Sequence, residues 1–207
     1  MKVIGFVGSP RKRGNADVLV DTFLEGAASA GAQTNKIFLA DKEINQCMGC
    51  FRACTSKPGL RCQQHRDDMD PILDEMAASD LYLFASPLYC ASYSAIMARF
   101  FERCLPCWEI EIVGELGTME AFRFINTPFK GKKAVAGLVQ DFKDPAPGQL
   151  AFQVYEHVMR PYMLELIDKI HVTDVRDVGD LRKKEDVLEQ IFNKGKDLAS
   201  AGKIINA

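Results

Sequence analysis

Residues 3 to 18 read Val-Ile-Gly-Phe-Val-Gly-Ser-Pro-Arg-Lys-Arg-Gly-Asn-Ala-Asp-Val. An apolar run ends at Gly8-Ser9-Pro10, and a helical pattern of apolar residues resumes after Asn15. This change of pattern predicts a strand, a tight loop and the start of a helix. The loop combines a hydroxyl group, cationic side chains and free backbone N–H groups at the positive end of a helix dipole. We therefore predict a phosphate-binding loop.

This loop differs from two common phosphate-binding motifs. It lacks the Gly-Lys-Ser/Thr of a Walker loop and the Gly-x-Gly-x-x-Gly of a dinucleotide-binding loop. Pro10 fixes the turn, Gly14 allows close approach of the backbone, and Asn15 is predicted to cap the helix. These features favour a terminal phosphate monoester over a buried pyrophosphate. An ordinary turn with a solvated basic patch is the alternative interpretation.

Three further segments carry residues of functional interest. Cys47-Met-Gly-Cys50 is followed by Cys54 and Cys62, then by Asp67-Asp68-Met69, and residues 86 to 95 read Ser-Pro-Leu-Tyr-Cys-Ala-Ser-Tyr-Ser-Ala. Together with Gly8-Ser-Pro-Arg-Lys-Arg-Gly-Asn, these segments resemble the NADPH-dependent FMN reductase family, and more narrowly the iron–sulfur flavoproteins. The resemblance covers roughly the first half of the chain.

The resemblance implies an FMN site made by two loops. The residues expected at the phosphate are Ser9, Pro10, Arg11, Lys12, Gly14, Asn15 and Ala16. Those expected at the isoalloxazine ring are Pro87, Leu88, Tyr89, Cys90, Ala91 and Ser92. Tyr89 would pack near the ring, although core or interface packing is the alternative for both Tyr89 and Tyr93. Cys90 is expected to be a small packing residue.

Length and composition indicate one α/β domain over residues 1–207, because no low-complexity linker divides the chain. Lys and Arg number 26 against 28 Asp and Glu, so there is no basic field for nucleic acid or an anionic membrane. Residues 81–98 are uncharged, but Pro87 and three serines interrupt them, so we predict no membrane span. Seven cysteines without a signal peptide are expected in the cytoplasm. Small molecules and other proteins are the expected partners.

The order of apolar patterns predicts a flavodoxin-like, three-layer α/β sandwich with a five-stranded parallel sheet in the order 2-1-3-4-5. Strands are predicted over 3–7, 37–40, 81–85, 134–139 and 170–175, and helices over 17–30, 68–78, 95–104, 149–167 and 184–200. Loops after the first, third and fourth strands, the last over 140–149, should meet at the carboxyl edge of the sheet. The remaining segments are a Cys-rich loop over 41–66 and an aromatic insertion over 105–130, interpreted as a lid or subunit contact.

The cysteines Cys47, Cys50, Cys54 and Cys62 are predicted to ligate a [4Fe–4S] cluster, because four thiolates satisfy its charge and coordination. Zinc and free or redox-active thiols are the alternatives. Structural zinc usually uses two Cys-x2-Cys knuckles, and these four cysteines contain only the first. Nearby cations would offset the thiolate charge or dock an acidic ferredoxin: Arg52, Lys57, Arg61 and Arg66.

Two other candidates for thiol or metal chemistry receive less support from the sequence. Cys104-Leu-Pro-Cys107 closes a helix, so it lacks the helix-dipole stabilisation of thioredoxin-like dithiols. His65 is expected to be an exposed loop residue.

The expected function is that of an FMN-dependent oxidoreductase or electron-transfer flavoprotein, in which a ferredoxin-like donor loads the cluster and the cluster exchanges electrons with FMN. A second hypothesis is an NAD(P)H-dependent FMN or quinone reductase without a cluster, and a third is a non-enzymatic FMN carrier with a zinc loop. Flavin chemistry requires orientation and electrostatics from the protein, so no catalytic triad is needed. A homodimer or homotetramer is expected, because the uncharged loop over 88–95 and the insertion would otherwise expose apolar surface.

Overall fold

A computed structural model describes residues 1–55, 61–115 and 118–205. These ranges contain seven strands: β1 Lys2–Val7, β2 Gln33–Phe38, β3 Leu81–Pro87, β4 Glu109–Ile112, β5 Phe122–Asn126, β6 Lys133–Val139 and β7 Glu165–Val172. Five of them make a parallel sheet in the order β2-β1-β3-β6-β7, and β4 pairs with β5 in a separate antiparallel hairpin. The predicted flavodoxin-like α/β fold is confirmed. The order differs from the predicted numbering because the hairpin strands precede the last two sheet strands in the chain.

Helices cover both faces of this sheet, as predicted for a three-layer sandwich. They are α1 Asn15–Ser29, α2 Phe51–Thr55, α3 Met69–Ala77, α4 Ala95–Arg103, α5 Ala146–Met159 and α6 Glu185–Ile205. One core packs α3, α4 and α5 against Ile4, Phe6 and Phe84, and the other packs α1 and α6 against Val3, Val7 and Leu83. Adjacent residues of one strand thus enter opposite cores, which explains the continuous apolar runs in the sequence.

Helices α1 and α6 approach each other at two glycines. A Cβ atom on Gly26 would lie 2.0 Å from the carbonyl oxygen of Phe192, and one on Gly195 would lie 2.1 Å from that of Phe23. Any side chain at either position would therefore force the two helices apart. This contact fixes the helical layer that supports the phosphate-binding loop, because α1 begins directly after that loop.

Three predicted elements have other bounds in the structure: the second strand, the helix predicted over 149–167, and the fifth strand, which was predicted over 170–175 but is β7 Glu165–Val172. Strand β2 begins at Gln33 instead of residue 37, because it is an edge strand whose early residues are mostly exposed and polar. The helix predicted over 149–167 ends at Met159, and a 3-10 turn over Arg160–Tyr162 leads into β7. Proline in that turn removes a backbone donor, and Met163 adopts a left-handed conformation with φ 53°. Because β7 is also an edge strand, its first five residues are exposed or partly exposed and lack the continuous apolar run of a central strand.

The two irregular regions of the sequence have different structures. The Cys-rich loop has no helix or strand over residues 43–50 and then forms α2, while its residues 56–60 lie outside the described part of the chain. The insertion forms a 3-10 turn over Leu105–Cys107 and the β4–β5 hairpin, with residues 116–117 outside the described ranges. Among the helices of the described residues, none is long and apolar enough to span a bilayer.

Candidate functional site

A cleft of about 470 Å³ lies at the carboxyl edge of the parallel sheet. Its walls come from the segments that follow β1, β3, β6 and β7, and they consist of Ser9, Arg11, Gly14, Asn15, Ala16, Pro87, Leu88, Tyr89, Cys90, Val139, Gln140, Asp141, Val175 and Arg176. A volume of this size suits a small molecule or cofactor. The position is also where open α/β sheets bind ligands, because the loops of neighbouring strands diverge there.

Most of the residues predicted for the FMN site line this cleft, but Pro10, Lys12, Ala91 and Ser92 do not. Lys12 forms an ion pair with Asp41 at 2.8 Å and so connects the phosphate-binding loop to the start of the Cys-rich loop. The wall residues Val175 and Arg176 were not predicted. The predicted topology could have identified them, because they follow the fifth strand at the same sheet edge.

The polar end of the cleft is built by the loop after β1. The Ser9 hydroxyl accepts a hydrogen bond of 3.1 Å from the backbone N–H of Arg11. Gly14 is the N-cap residue of α1 and lines the cleft, so the unpaired N–H groups and positive dipole of the first turn are placed at its wall. A Cβ on Gly14 would lie 2.9 Å from the carbonyl oxygen of Arg11. This end of the cleft therefore suits an anion.

The prediction that Asn15 caps α1 was wrong, because Gly14 occupies that position. The Asn15 side-chain amide instead donates to the carbonyl oxygens of Val175 and Asp177, at 3.4 and 3.0 Å. Its oxygen accepts from the backbone N–H of Leu181 at 3.1 Å. Asn15 thus fastens the segment after β7 to the phosphate-binding loop, which closes one wall of the cleft.

The opposite wall of the cleft contains a strained turn. Tyr89 and Ser92 exchange backbone hydrogen bonds of 2.8 and 2.9 Å, and the two residues between them have positive φ values, 50° for Cys90 and 57° for Ala91. This is the pattern of a type I′ turn, which usually contains Gly or Asn. Cys90 is exposed instead of packed, and Tyr89 is 44% exposed. The strain is retained in a loop that lines the cleft.

Gln140 shapes the third wall of the cleft. Its side-chain amide donates to the carbonyl oxygens of Phe142 and Asp144 at 3.0 and 2.6 Å, and its oxygen lies 2.8 Å from Nε2 of His171. Burial lowers the pKa of His171, which favours the neutral ring at physiological pH. A neutral ring that donates from Nε2 to Gln140 satisfies both groups. Gln140 therefore fixes the path of the loop after β6.

A second, smaller pocket contains all four cysteines of the Cys-rich loop. We call it the thiol pocket, and it is lined by Cys47, Met48, Cys50, Cys54, Cys62, Gln64, Glu102, Arg103, Leu105 and Pro106. Its volume is about 10 Å³, enough for about one water molecule. Burial, with added contributions from Cys50 and Cys62, raises the pKa of Cys54 to about 11. The four thiols are therefore close neighbours.

The four thiols of the thiol pocket are the donor set that an iron–sulfur cluster takes, but the pocket is too small to hold one as it stands. In the described ranges, no three or more His, Cys, Asp or Glu side chains are arranged around a point that would hold a single metal ion. A cluster is larger than one ion and takes four thiolates, so the pocket would have to open to accept it. Residues 43–50 have no helix or strand to lose in such an opening.

Of the cations predicted to compensate the thiolates, Arg61 and Arg66 have hydrogen-bond partners other than the thiols. Arg61 binds both carboxylate oxygens of Asp74 at 3.0 and 2.8 Å. Arg66 donates to the carbonyl oxygens of Cys62 and His65. The side chain of Arg52 and all of Lys57 lie outside the described part of the structure. Arg103, which was not predicted, is the buried cation that lines the thiol pocket.

Arg103 and Asp67 form a buried ion pair beside the thiols. The guanidinium binds the carboxylate through two bonds of 2.6 and 3.0 Å, and the two side chains are 2% and 0% exposed. Asp67 also accepts from the backbone N–H groups of Asn45 and Met69 at 2.9 and 3.2 Å. Burial alone would raise the pKa of Asp67, but the hydrogen bonds from Arg103 and Asn45 hold it well below its ordinary value.

Aromatic residues of the insertion pack against the Cys-rich loop of the same chain. The ring of Phe51, which lies between Cys50 and Cys54, is 5.5 Å from Phe122 and 6.2 Å from Trp108. The hairpin therefore covers α2. Its outer side exposes Ile112, Val113 and Ile125 by 54%, 45% and 44%. A subunit contact on that outer side stays a prediction.

Several other candidate residues have structural roles. Cys104 and Cys107 are buried in the aromatic core, where burial raises the pKa of both thiols, and Cys104 donates to the carbonyl oxygen of Phe100 at 3.3 Å. The His65 ring lies 3.0 Å from the carbonyl oxygen of Gln46. The Tyr93 ring packs 4.9 Å from that of Tyr155. These residues support the core and loops and do not line the cleft or the thiol pocket.

Known proteins with similar sequences are named as iron-sulfur flavoproteins. Two curated relatives are an iron-sulfur flavoprotein of Archaeoglobus fulgidus, 40% identical over 106 residues, and one of Methanocaldococcus jannaschii, 42% identical over 106 residues. The aligned part is 51% of this chain in both cases, and 46% and 53% of the relatives. The chain thus spans about half the length of the curated relatives it matches.

Solved structures share the fold at low sequence identity. A flavone reductase superposes with a TM-score of 0.69 at 17% identity, covering 100% of this chain and 64% of its own. The NAD(P)H:quinone oxidoreductase from Methanothermobacter marburgensis superposes with a TM-score of 0.68 at 16% identity, covering 96% and 98%. Residues 1–139 match the family model of the NADPH-dependent FMN reductases. The match extends over β1 to β6 and includes the loops after β1 and β3 and the Cys-rich loop, whereas the cleft segments after β6 and β7 lie beyond it. The chain therefore belongs to the NADPH-dependent FMN reductase family.

Proposed function

We propose that this chain is an FMN-dependent oxidoreductase that holds FMN in the cleft and a [4Fe–4S] cluster in the thiol pocket. The observation that carries the proposal is the convergence of Cys47, Cys50, Cys54 and Cys62 on one pocket beside a buried arginine. The similar proteins named iron-sulfur flavoproteins give further support. When bound, FMN accepts hydride or single electrons, and the cluster carries one electron at a time.

The cleft residues divide into two groups for FMN binding. The phosphate is expected at Ser9, Arg11 and the first turn of α1, where a hydroxyl, a cation and the helix dipole meet. The isoalloxazine ring is expected against Leu88, Tyr89 and Cys90, which form the less polar wall. Because Tyr89 remains 44% exposed, a second reactant has access to that wall.

The cysteine residues must lose their protons to bind iron. The pKa of Cys54 is raised to about 11 by burial and then by its thiol neighbours, so its thiol is neutral in the metal-free pocket. Cluster binding would favour the thiolate form of Cys54, because the positive charge of the metal stabilises thiolates. Arg103 supplies a fixed positive charge beside the pocket.

The proposal is tested by the composition of anaerobically purified protein. Iron, sulfide, zinc and flavin are measured per chain together with the visible spectrum. We expect one FMN, with about four iron and four sulfide ions. Cys54→Ser should lose iron and sulfide but keep FMN, whereas Cys90→Ser, which changes a cysteine outside the thiol pocket, should keep its iron.

Other compositions would point to the rival functions. Zinc without sulfide would indicate an FMN carrier with a zinc loop. Protein that contains FMN but no metal after reconstitution, and whose four pocket thiols all react with a thiol reagent, would contradict the cluster. It would indicate an NAD(P)H-dependent FMN or quinone reductase.

The electron donor and the assembly state are further parts of the proposal. NAD(P)H and a reduced ferredoxin are the two donor classes, and stopped-flow reduction of the flavin by each would separate them. We expect at least a homodimer, because a second subunit would cover exposed aromatic side chains near the cleft. These are Tyr89 and, in the loop after β6, Phe142, which are 44% and 58% exposed. A monomer by light scattering at micromolar concentration, with flavin fully bound, would contradict the homodimer.

A further inference from the structure

Arg103 has one donor that its neighbours leave unused. Its two terminal nitrogens bind Asp67, and Nη1 also donates to the carbonyl oxygen of Asn45 at 2.7 Å. Its Nε is buried and has no hydrogen-bond partner in the part of the chain that the structure describes. Buried donors without acceptors are rare because their desolvation is not compensated. We therefore expect the Nε–H of Arg103 to have a hydrogen-bond acceptor in the functional protein.

The unused donor belongs to a side chain that lines the thiol pocket. Burial by itself lowers the pKa of Arg103, but hydrogen bonds and charge from Asp67, together with the nearby Cys62 and Cys47, raise it overall. The guanidinium therefore remains a cation and interacts electrostatically with the first and the last of the four pocket cysteines. A buried, charged N–H donor next to four thiols is suited to a sulfur acceptor.

The ion pair also fixes the two ends of the cysteine segment. Asn45 precedes Cys47 by two residues, and both its backbone N–H and its side-chain amide donate to Asp67, at 2.9 and 3.1 Å. Asp67 follows Cys62, and Arg103 is the last residue of α4. The segment from 45 to 67 is therefore held at both ends to one rigid helix, and the short helix α2 is the only helix or strand among its described residues.

We propose that Arg103 is a positioning residue for the sulfur-ligated group: Asp67 orients its guanidinium, which holds both ends of the cysteine segment and donates Nε–H to sulfur in the pocket. This inference rests on the proposed function. Hydrogen bonds and positive charge at the sulfurs of a cluster make its reduction more favourable. Arg103 should therefore raise the reduction potential and slow the loss of iron.

The test uses anaerobically reconstituted full-length protein and the variants Arg103→Lys and Asp67→Asn. Lysine keeps the charge but loses the paired bonds and Nε. We expect its reduction equilibrium constant to fall about tenfold, about 59 mV for a one-electron couple, and iron release to a chelator to quicken about tenfold. Asp67→Asn removes a negative charge, so its potential should rise while iron release also quickens. Damage to the fold alone would not give shifts of opposite sign.

Arg99→Lys is the matched control, because Arg99 lies one turn earlier on α4, also has a buried Nε without a partner in the described structure, and does not line the pocket. Its potential and iron release should equal those of the wild type. If Arg103→Lys does not fold, iron release decides the inference: release from Asp67→Asn should be faster than from Arg99→Lys, and equal rates would overturn it. Wild-type potential and iron release in Arg103→Lys would overturn it. Failure of the wild type itself to hold iron and sulfide would instead overturn the proposed function.

Discussion

The cleft and the thiol pocket are organised in opposite ways. The cleft is framed by regular backbone, namely the loops after four parallel strands, the first turn of α1 and a strained type I′ turn, and the side chains of Asn15 and Gln140 fasten two of its walls. The thiol pocket is made by side chains, since residues 43–50 have no helix or strand and their position depends on Asp67 and Arg103. Substitution of Asp67 or Arg103 should therefore displace the thiol pocket as a whole, whereas a substitution at the cleft should disturb one of its walls.

The largest effect should come from removing Asp67. In Asp67→Ala the guanidinium of Arg103 stays buried without its carboxylate, which typically costs about 3 to 5 kcal/mol of the free energy of unfolding. Urea denaturation of the reduced, metal-free protein measures it. Asp74→Ala is the control, because its ion pair with Arg61 has a carboxylate that is 54% exposed and should contribute less than about 1 kcal/mol. Equal losses in both variants would show that the buried pair has no special role.

Asp67 also makes the free energy of unfolding depend on pH in the acid range. This effect should be smaller than the loss in Asp67→Ala. The pKa of Asp67 is lower in the folded protein than its ordinary value, so its ionised form stabilises the fold. That contribution is fully present above the unfolded pKa of about 3.9 and is lost as the pH falls below it. The difference in unfolding free energy between wild type and Asp67→Asn should therefore shrink from pH 6 toward pH 3. A constant difference over that range would contradict this origin.

These two regions also differ in how far the sequence predicts them. Ser9, Arg11 and Pro87 were assigned to one site because parallel topology brings the ends of neighbouring strands together, and local patterns were enough to find those strands. The ion pair of Asp67 and Arg103 joins residues 36 positions apart, and no periodic pattern marks it. The starts of the two edge strands were predicted too late for a related reason, since their partly exposed residues lack the apolar run of a central strand.

Two neighbouring cations, Arg11 and Lys12, provide a matched test of FMN binding in the cleft. Arg11 lines it, whereas Lys12 pairs with Asp41 outside its lining. Arg11→Ala should weaken FMN binding by about 1.5 to 3 kcal/mol, the size of a charge-assisted hydrogen bond. Lys12→Ala should change the affinity less than about threefold, since an exposed ion pair contributes little. Flavin fluorescence titration measures both, and a larger loss in Lys12→Ala would mean that the loop turns Lys12 toward the phosphate.

The smallest effect should come from the strained turn, where the cleft departs from what local sequence prefers. Ala91 has φ 57° without lining the cleft, and a left-handed conformation costs a residue with a Cβ about 1 to 2 kcal/mol. Glycine relieves that cost but gains entropy in the unfolded chain, so Ala91→Gly should stabilise the protein by about 1 kcal/mol or less. Ala98→Gly, inside α4, should destabilise it by about 1 kcal/mol. Urea denaturation of both variants checks the opposite signs. If Ala91→Gly also destabilises, the turn is held by contacts of the Ala91 methyl group, and the cleft resembles the thiol pocket in depending on side chains.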